Sequence, residues 1–253
     1  MMDAVRDVER ARRWVAESGN IVFFGGAGTS TDSGIPDFRS ADGLYSETGT
    51  KVPPEVILSH DFFMERTAEF YEYYRAKLLY PDARPNAGHL ALVKLEREGR
   101  LKAVITQNID GLHQMAGSGR VLELHGSVHR NFCMKCGAFY GLETILSSPQ
   151  PVPTCTACGG VIKPDVVLYQ EPLDHRVLEE SLALIEAAEV LIVAGTSLTV
   201  HPAAGLIRYY RGNKLILINK GSTPYDRYAN AVIADRFAGV MPVLAGMDDQ
   251  GRT

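Results

Sequence analysis

Residues 21–40 read IVFFGGAGTSTDSGIPDFRS, and this stretch decides the fold. The apolar run from Ile21 makes a short buried strand, and Gly25, Gly26 and Gly28 follow it directly. Glycines at a strand's carboxyl end let backbone N–H groups approach a pyrophosphate without Cβ clashes, which is where a nucleotide-binding sheet carries its phosphate loop. The fingerprint is incomplete: Thr31 stands where a third glycine is expected, and no acidic residue about 20 positions on ends a second strand to hold a ribose. On spacing alone the loop reads equally as a dinucleotide site and as a tight strand-to-loop turn. Further on, Pro36-Asp37-Phe38-Arg39 sets a ring between opposite charges. Such a ring can shield a reactive sugar carbon from water while Arg39 faces phosphate; the plainer reading is a loop salt bridge beside a buried Phe.

On either side the pattern repeats. Val5, Val8, Ala11 and Val15 recur at helical spacing before Gly19, a C-cap position, so the chain opens with an amphipathic helix expected to pack on the sheet. Further apolar runs start at Lys102 (KAVIT), Val121 (VLEL), Val190 (VLIVA), Lys214 (KLILIN) and Ala231 (AVIA), with helical patterns from Ala87 to Gly99 and from Leu178 to Ala188 between them. Continuous apolar strands alternating with helices predict a doubly wound, Rossmann-like α/β fold with a parallel sheet. Two segments break the rhythm: an aromatic and charged insertion at about 41–85, and a stretch at about 129–163 that holds all four cysteines. We therefore expect one domain, with a large lobe of residues 1–40, 86–128 and 164–253 and a smaller lobe built from the helical insertion and the cysteine module.

Composition narrows the function. The 253 residues are 45% hydrophobic and carry a formal net charge of −4, so no global positive field exists to hold a polyanion, and direct nucleic-acid binding is not expected. The charged amino terminus lacks the apolar core of a secretion signal and no membrane-length apolar run occurs, which predicts a cytosolic protein with no membrane partner. In a reducing compartment, Cys133-x2-Cys136 and Cys155-x2-Cys158, separated by 18 residues and each followed by glycine, read as four ligands of a closed tetrahedral zinc site; a redox dithiol is the alternative. Lys135 is the only basic residue between Cys133 and Cys158, so the module has no phosphate-binding face.

Polar clusters stand at several strand ends. Gln107, Asn108 and Asp110 follow KAVIT and can address ribose hydroxyls and an amide, or else serve as helix caps. His125, ahead of Gly126, closes the VLEL strand and is the histidine best placed as a general base, with a structural role as the alternative. Gly195-Thr196-Ser197 follows VLIVA ahead of a helix that Pro202 opens, and Asn219-Lys220 follows KLILIN. Singly these are caps; together they describe one groove of dinucleotide length.

In order along the chain, GAGTSTDSGIPDFR, TQNIDGLHQMAG, ELHGS, the two cysteine pairs, IKPDVVLYQE, GTSLTVHPA and the Asn219 region resemble the sirtuin family over nearly the whole length. The resemblance implies an enzyme that cleaves NAD as a consumed co-substrate and removes acyl groups from protein lysines. It implies that Ala27, Gly28 and Thr31 meet the pyrophosphate and ribose, Phe38 and Arg39 form the cofactor loop, and Gln107, Asn108, Ile109 and Asp110 form the nicotinamide-ribose pocket, with Asn108 catalytic. Thr196 and Ser197 then meet phosphate or ribose, and Asn219 with Lys220 the adenosine end. In the family mechanism the acyl oxygen attacks the ribose carbon as nicotinamide leaves, and His125 accepts a ribose hydroxyl proton before water releases the amine and O-acyl-ADP-ribose. Val166 and Val167 resemble the strand along which an acetylated-lysine peptide pairs. The chain departs from the family pattern at Gly25, where threonine is usual, and at Tyr169-Gln170-Glu171, where Phe-Gly-Glu is more frequent. Family members that prefer acidic acyl groups carry Tyr-x-x-Arg; here Tyr71 is followed by Tyr74 at the arginine position, so acetyl and other uncharged acyl groups are expected. Mono-ADP-ribosyl transfer and a non-enzymatic NAD-sensing module are the competing functions.

Overall fold

A computed structural model describes residues 2–38, 43 and 52–247. Six parallel strands form the main sheet: β1 (Ile21–Gly25), β2 (Leu101–Thr106), β3 (Val121–Glu123), β7 (Val190–Ala194), β8 (Leu215–Ile218) and β9 (Ala231–Ile233), in the spatial order β3-β2-β1-β7-β8-β9. Counted within this sheet alone, the order is that of the dinucleotide-binding fold, with its reversal between β1 and β7.

Alternate residues of each strand enter opposite cores, which is why the strands read as unbroken apolar runs. Ile21 and Phe23 of β1, Val190 and Ile192 of β7, and Ile216 and Ile218 of β8 face one core. It is closed by α1 (Met2–Glu17), α5 (Ala87–Arg97) and α9 (Phe237–Leu244). Val22, Phe24, Leu191, Val193, Leu215 and Leu217 face the other, closed by α8 (His175–Ala187) and a 3-10 segment at Ala203–Tyr209. Ala11 and Val15 of α1 are fully buried, whereas Val5 is 59% exposed: the amphipathic helix docks through its second half. After Pro202 the chain takes the tighter 3-10 form where an α-helix is expected from the sequence.

The remaining elements make a separate core. Strands β4 (Gly126–Cys133), β5 (Phe139–Tyr140) and β6 (Ile162–Val166) form an antiparallel sheet in the order β5-β4-β6. Around it pack α2 (Pro54–Ile57), α3 (His60–Glu65), α4 (Thr67–Lys77) and α7 (Leu142–Ser147), whose Phe63, Phe70, Tyr71, Tyr74 and Ile145 are almost wholly buried against Ile162 and Leu168. A short helix α6 (Leu112–Ala116) leads from the end of β2 toward β3. Both β4 and β6 run across the expected joins near 128 and 163, so the two lobes share continuous strands at the site.

Candidate active site

The order reversal leaves a crevice at the carboxyl ends of β1 and β7, and the two loops that leave those strands touch. Gly26 N–H donates to Ala194 O at 3.1 Å and Gly28 N–H to Gly195 O at 2.8 Å. A Cβ at Gly28 would lie 2.7 Å from Gly195 Cα, and one at Gly195, whose φ is +60°, only 2.4 Å from the Thr29 nitrogen. Glycine at both places is thus a packing requirement. Past this contact the chain makes two 3-10 turns, Ala27–Thr29 and Thr31–Ser33, instead of the α-helix of a dehydrogenase loop, which accounts for the missing third glycine.

Asn108 sits at the centre of a buried polar network. Its side-chain nitrogen donates to Thr29 Oγ1 at 3.1 Å and Ser30 Oγ at 3.0 Å, and Ser30 Oγ in turn donates to Asp110 Oδ2 at 2.7 Å. With both amide hydrogens committed, the carbonyl oxygen is the group Asn108 has left for a ligand. Burial raises the pKa of Asp110, opposed by the N–H of Leu112 and the hydroxyl of Ser30. Gln107 ties the strand ends together, its Nε2 donating to Thr196 Oγ1 at 3.0 Å. Thr31 closes back on the loop through its hydroxyl to Gly28 O, and Ser197 Oγ lies 2.8 Å from Thr199 Oγ1.

His125 follows β3, and its Nδ1 is 2.8 Å from the carbonyl oxygen of Gln107. A carbonyl only accepts, so Nδ1 carries the hydrogen and Nε2 the lone pair. Burial lowers the histidine's pKa, with the Gln107 bond opposing in part, so the ring is a neutral proton acceptor at physiological pH. The backbone at His125 also holds the strand beside it: Val167 N–H donates to His125 O at 3.0 Å, and Gly126 pairs with Val166. At Gly126 φ is +75°, and a Cβ would fall 1.9 Å from Asp165 O, so the segment after His125 and the neighbouring strand meet where only glycine fits. Beyond Leu168, Gln170 occupies the left-handed region (φ 77°) where the resemblance places glycine. Its amide exchanges two hydrogen bonds with Asp61, accepting from the Asp61 N–H and donating to Oδ2, which offset a strain of about 1–2 kcal/mol.

The four cysteine sulfurs lie within 4.8 Å of one another, with Cys133 and Cys158 3.4 Å apart and Cys136 and Cys155 3.6 Å apart. Tetrahedral zinc with ~2.3 Å bonds needs sulfurs about 3.8 Å apart, so the four thiols fit a structural zinc ion and leave it no open coordination position.

Ala27, Gly28, Thr31, Gln107, Asn108, Asp110, His125, Thr196 and Ser197 therefore gather around the strand ends, whereas the Ile109 side chain packs against the small lobe's core. Asn219 and Lys220 stand one strand further along, at the end of β8, and the β7 loop reaches that end through Gly195 N–H to Ile218 O. Phe38 packs against the small lobe's core, while Arg39 lies outside the described residues. Sequence reasoning missed Thr29, Ser30 and Asn86. Hydroxyls in a glycine-rich loop read as turn formers, and their partner Asn108 is 79 and 78 positions away.

Residues 26–202 match the model of the Sir2 family, and 245 residues are 54% identical to the NAD-dependent protein deacetylase of Clostridium acetobutylicum, covering 96% of this chain and 99% of that one. The chain belongs to the Sir2 family. Among solved structures, this sirtuin is similar to a Sir2 complex with p53 peptide and NAD+, at a TM-score of 0.83 and 37% identity over 95% of this chain and 98% of that one. It is also similar to a Sir2 variant with deacetylated p53 peptide and 3′-O-acetyl ADP ribose, at a TM-score of 0.87 and 36% identity over 97% and 99%. Among the described residues of the sirtuin, no helix is long and apolar enough to cross a membrane.

Proposed function

We propose that this sirtuin is an NAD-dependent protein-lysine deacetylase that releases nicotinamide and O-acetyl-ADP-ribose. The observation that carries the reading is His125: a neutral imidazole with its lone pair assigned to Nε2, beside the Asn108–Ser30–Asp110 network at the fold's nucleotide crevice. A protein that only bound NAD would need no base there. Bound NAD supplies a ribose carbon that exchanges its bond to nicotinamide for one to the acyl oxygen. The chain's own groups do the rest. The loop from Ala27 to Thr31 and the Thr196-Ser197 turn bind phosphates and ribose, and Asn219 with Lys220 holds the adenosine end. Asn108 orients the reacting ribose, the Phe38 ring keeps water from it, and Arg39 faces phosphate or helps order the loop. His125 Nε2 takes the ribose hydroxyl proton.

The substrate runs along Val166 and Val167. The Val167 N–H is committed to His125 O, so an extended peptide pairs with the main chain on the opposite edge of this segment. Acetyl is preferred to succinyl, because Tyr74 brings no positive charge and Arg75 is engaged elsewhere. The Arg75 guanidinium donates to the carbonyls of Ile145 at 3.0 Å and Pro151 at 2.7 Å and stacks over the Tyr71 ring. The grouping of thiols for metal rather than disulfides supports a cytosolic location.

The test is mass spectrometry of an acetyl-lysine peptide incubated with the protein, with and without NAD. NAD-dependent loss of acetyl with formation of O-acetyl-ADP-ribose is expected, at a kcat/KM at least about tenfold above that for the succinyl peptide. Efficient desuccinylation would overturn the acyl preference. Label from NAD appearing on protein would replace deacetylation by ADP-ribosyl transfer, and NAD binding without turnover of any acyl peptide would leave a sensor.

A further inference from the structure

Asn86 is the point at which the scaffold grips the glycine-rich loop that leaves β1. It is the N-cap of α5: its Oδ1 accepts from Gly88 N–H at 3.0 Å, and its own N–H donates to His89 Nδ1 at 3.2 Å. The side-chain nitrogen serves a different element, donating to Thr29 O at 2.9 Å and Ser33 Oγ at 3.0 Å. One amide thus joins α5 to both 3-10 turns of the loop. Thr29 carries the connection inward, since its hydroxyl donates to Gly26 O at 2.8 Å and accepts from the Asn108 side chain.

A helix cap needs only the acceptor, so Asp, Ser or Thr would serve α5 as well as Asn does. The part of Asn86 that the helix does not use is its NH2 group, and both of its hydrogens go to the loop. His89 reinforces the arrangement: it is completely buried, and burial holds its pKa down to about 4, so Nδ1 remains an acceptor for the Asn86 N–H at any working pH.

We infer that Asn86 is a positioning residue for the deacetylation reaction, setting the glycine-rich loop after β1, and through Thr29 the Asn108 amide, in the geometry that binds NAD. The inference rests on the reading of that loop as the NAD site.

Asn86→Asp tests it. The change keeps the cap oxygen and puts an oxygen lone pair against the Thr29 carbonyl. With NAD and acetyl-lysine peptide varied separately, KM for NAD is expected to rise about tenfold or more and kcat to fall, while KM for the peptide stays within about twofold and Tm within a few degrees. Ser33→Ala removes one of the two loop bonds and is expected to raise KM for NAD by a smaller factor, about two- to fivefold. A folded Asn86→Asp enzyme whose KM for NAD and kcat are both unchanged would overturn the inference and leave Asn86 a helix cap. If Asn86→Asp does not fold, Asn86→Ser, which keeps a cap but cannot reach the loop, decides by the same split. Absence of NAD-dependent turnover in the unmutated protein would instead overturn the underlying reading of the site, so the two failures are told apart.

Discussion

A histidine is a base only where its lone pair faces the reacting group, and in His125 the carbonyl of Gln107 decides which nitrogen that is. Replacing His125 with Ala should lower kcat/KM by about 10²–10⁴-fold while leaving NAD affinity within a few fold, read by steady-state kinetics beside calorimetric NAD titration. Burial lowers the His125 pKa below its ordinary 6.5, so the active, neutral form persists into mildly acid solution. The acid limb of the kcat/KM profile should accordingly fall below pH 6.5; a limb centred above 7 would assign the base to another group. At this scale the sequence spoke unevenly. His125 was expected as a base because a strand end followed by glycine leaves a side chain little covered, whereas the structure half-buries it. Thr29 and Ser30 were hidden, since nothing near them in the chain signals that they orient an amide on another strand.

Between elements, the least expected finding is the pair His89 on α5 and His113 on α6, with ring centroids 4.7 Å apart beneath Phe237. Among the described residues, His89 Nε2 and both nitrogens of His113 are buried without a protein partner, and burial lowers both pKa values, that of His89 to about 4. The unfolded chain takes up these protons near pH 6.5 and the folded chain does not. Stability is therefore full above about pH 6.5 and is lost as pH falls toward 4, by ~1.4 kcal/mol per pH unit for each histidine. Urea midpoints measured between pH 7 and 4.5 should show this slope, and His113→Met should flatten it. Periodicity revealed α5 but not this pair, because a contact between helices leaves no mark in either helix's own pattern. The cysteine module was legible for the opposite reason: four ligands in two close pairs carry their geometry in their spacing. Its strand β4 starts immediately after His125 and β6 ends at Val166, so metal loss should reach the site. Cys155→Ala is expected to release the single zinc and abolish turnover, followed by metal analysis and activity on one preparation; full activity in a zinc-free protein would refute the connection.

For the molecule as a whole, the order β3-β2-β1-β7-β8-β9 puts six strand ends on one rim, and NAD should bridge the loops that leave five of them, β1, β2, β3, β7 and β8. NAD at about 100 times its Kd should stabilise the fold by ~2.7 kcal/mol and raise Tm by roughly 5–10 °C in a scanning measurement; no shift at saturating NAD would contradict the crevice as its site. The architecture was readable from alternating strands and helices, whereas the crossing of β4 and β6 between the lobes was not, because composition changes along the chain and strands do not. The backbone contact between Gly28 and Gly195 bears on descent as well as on binding. Each position excludes a side chain because of the other's backbone, so a substitution at either one alone should break the fit between the two halves of the nucleotide fold. A chimera joined anywhere between them will be viable only if the amino-terminal parent supplies Gly28 and the carboxyl-terminal parent Gly195.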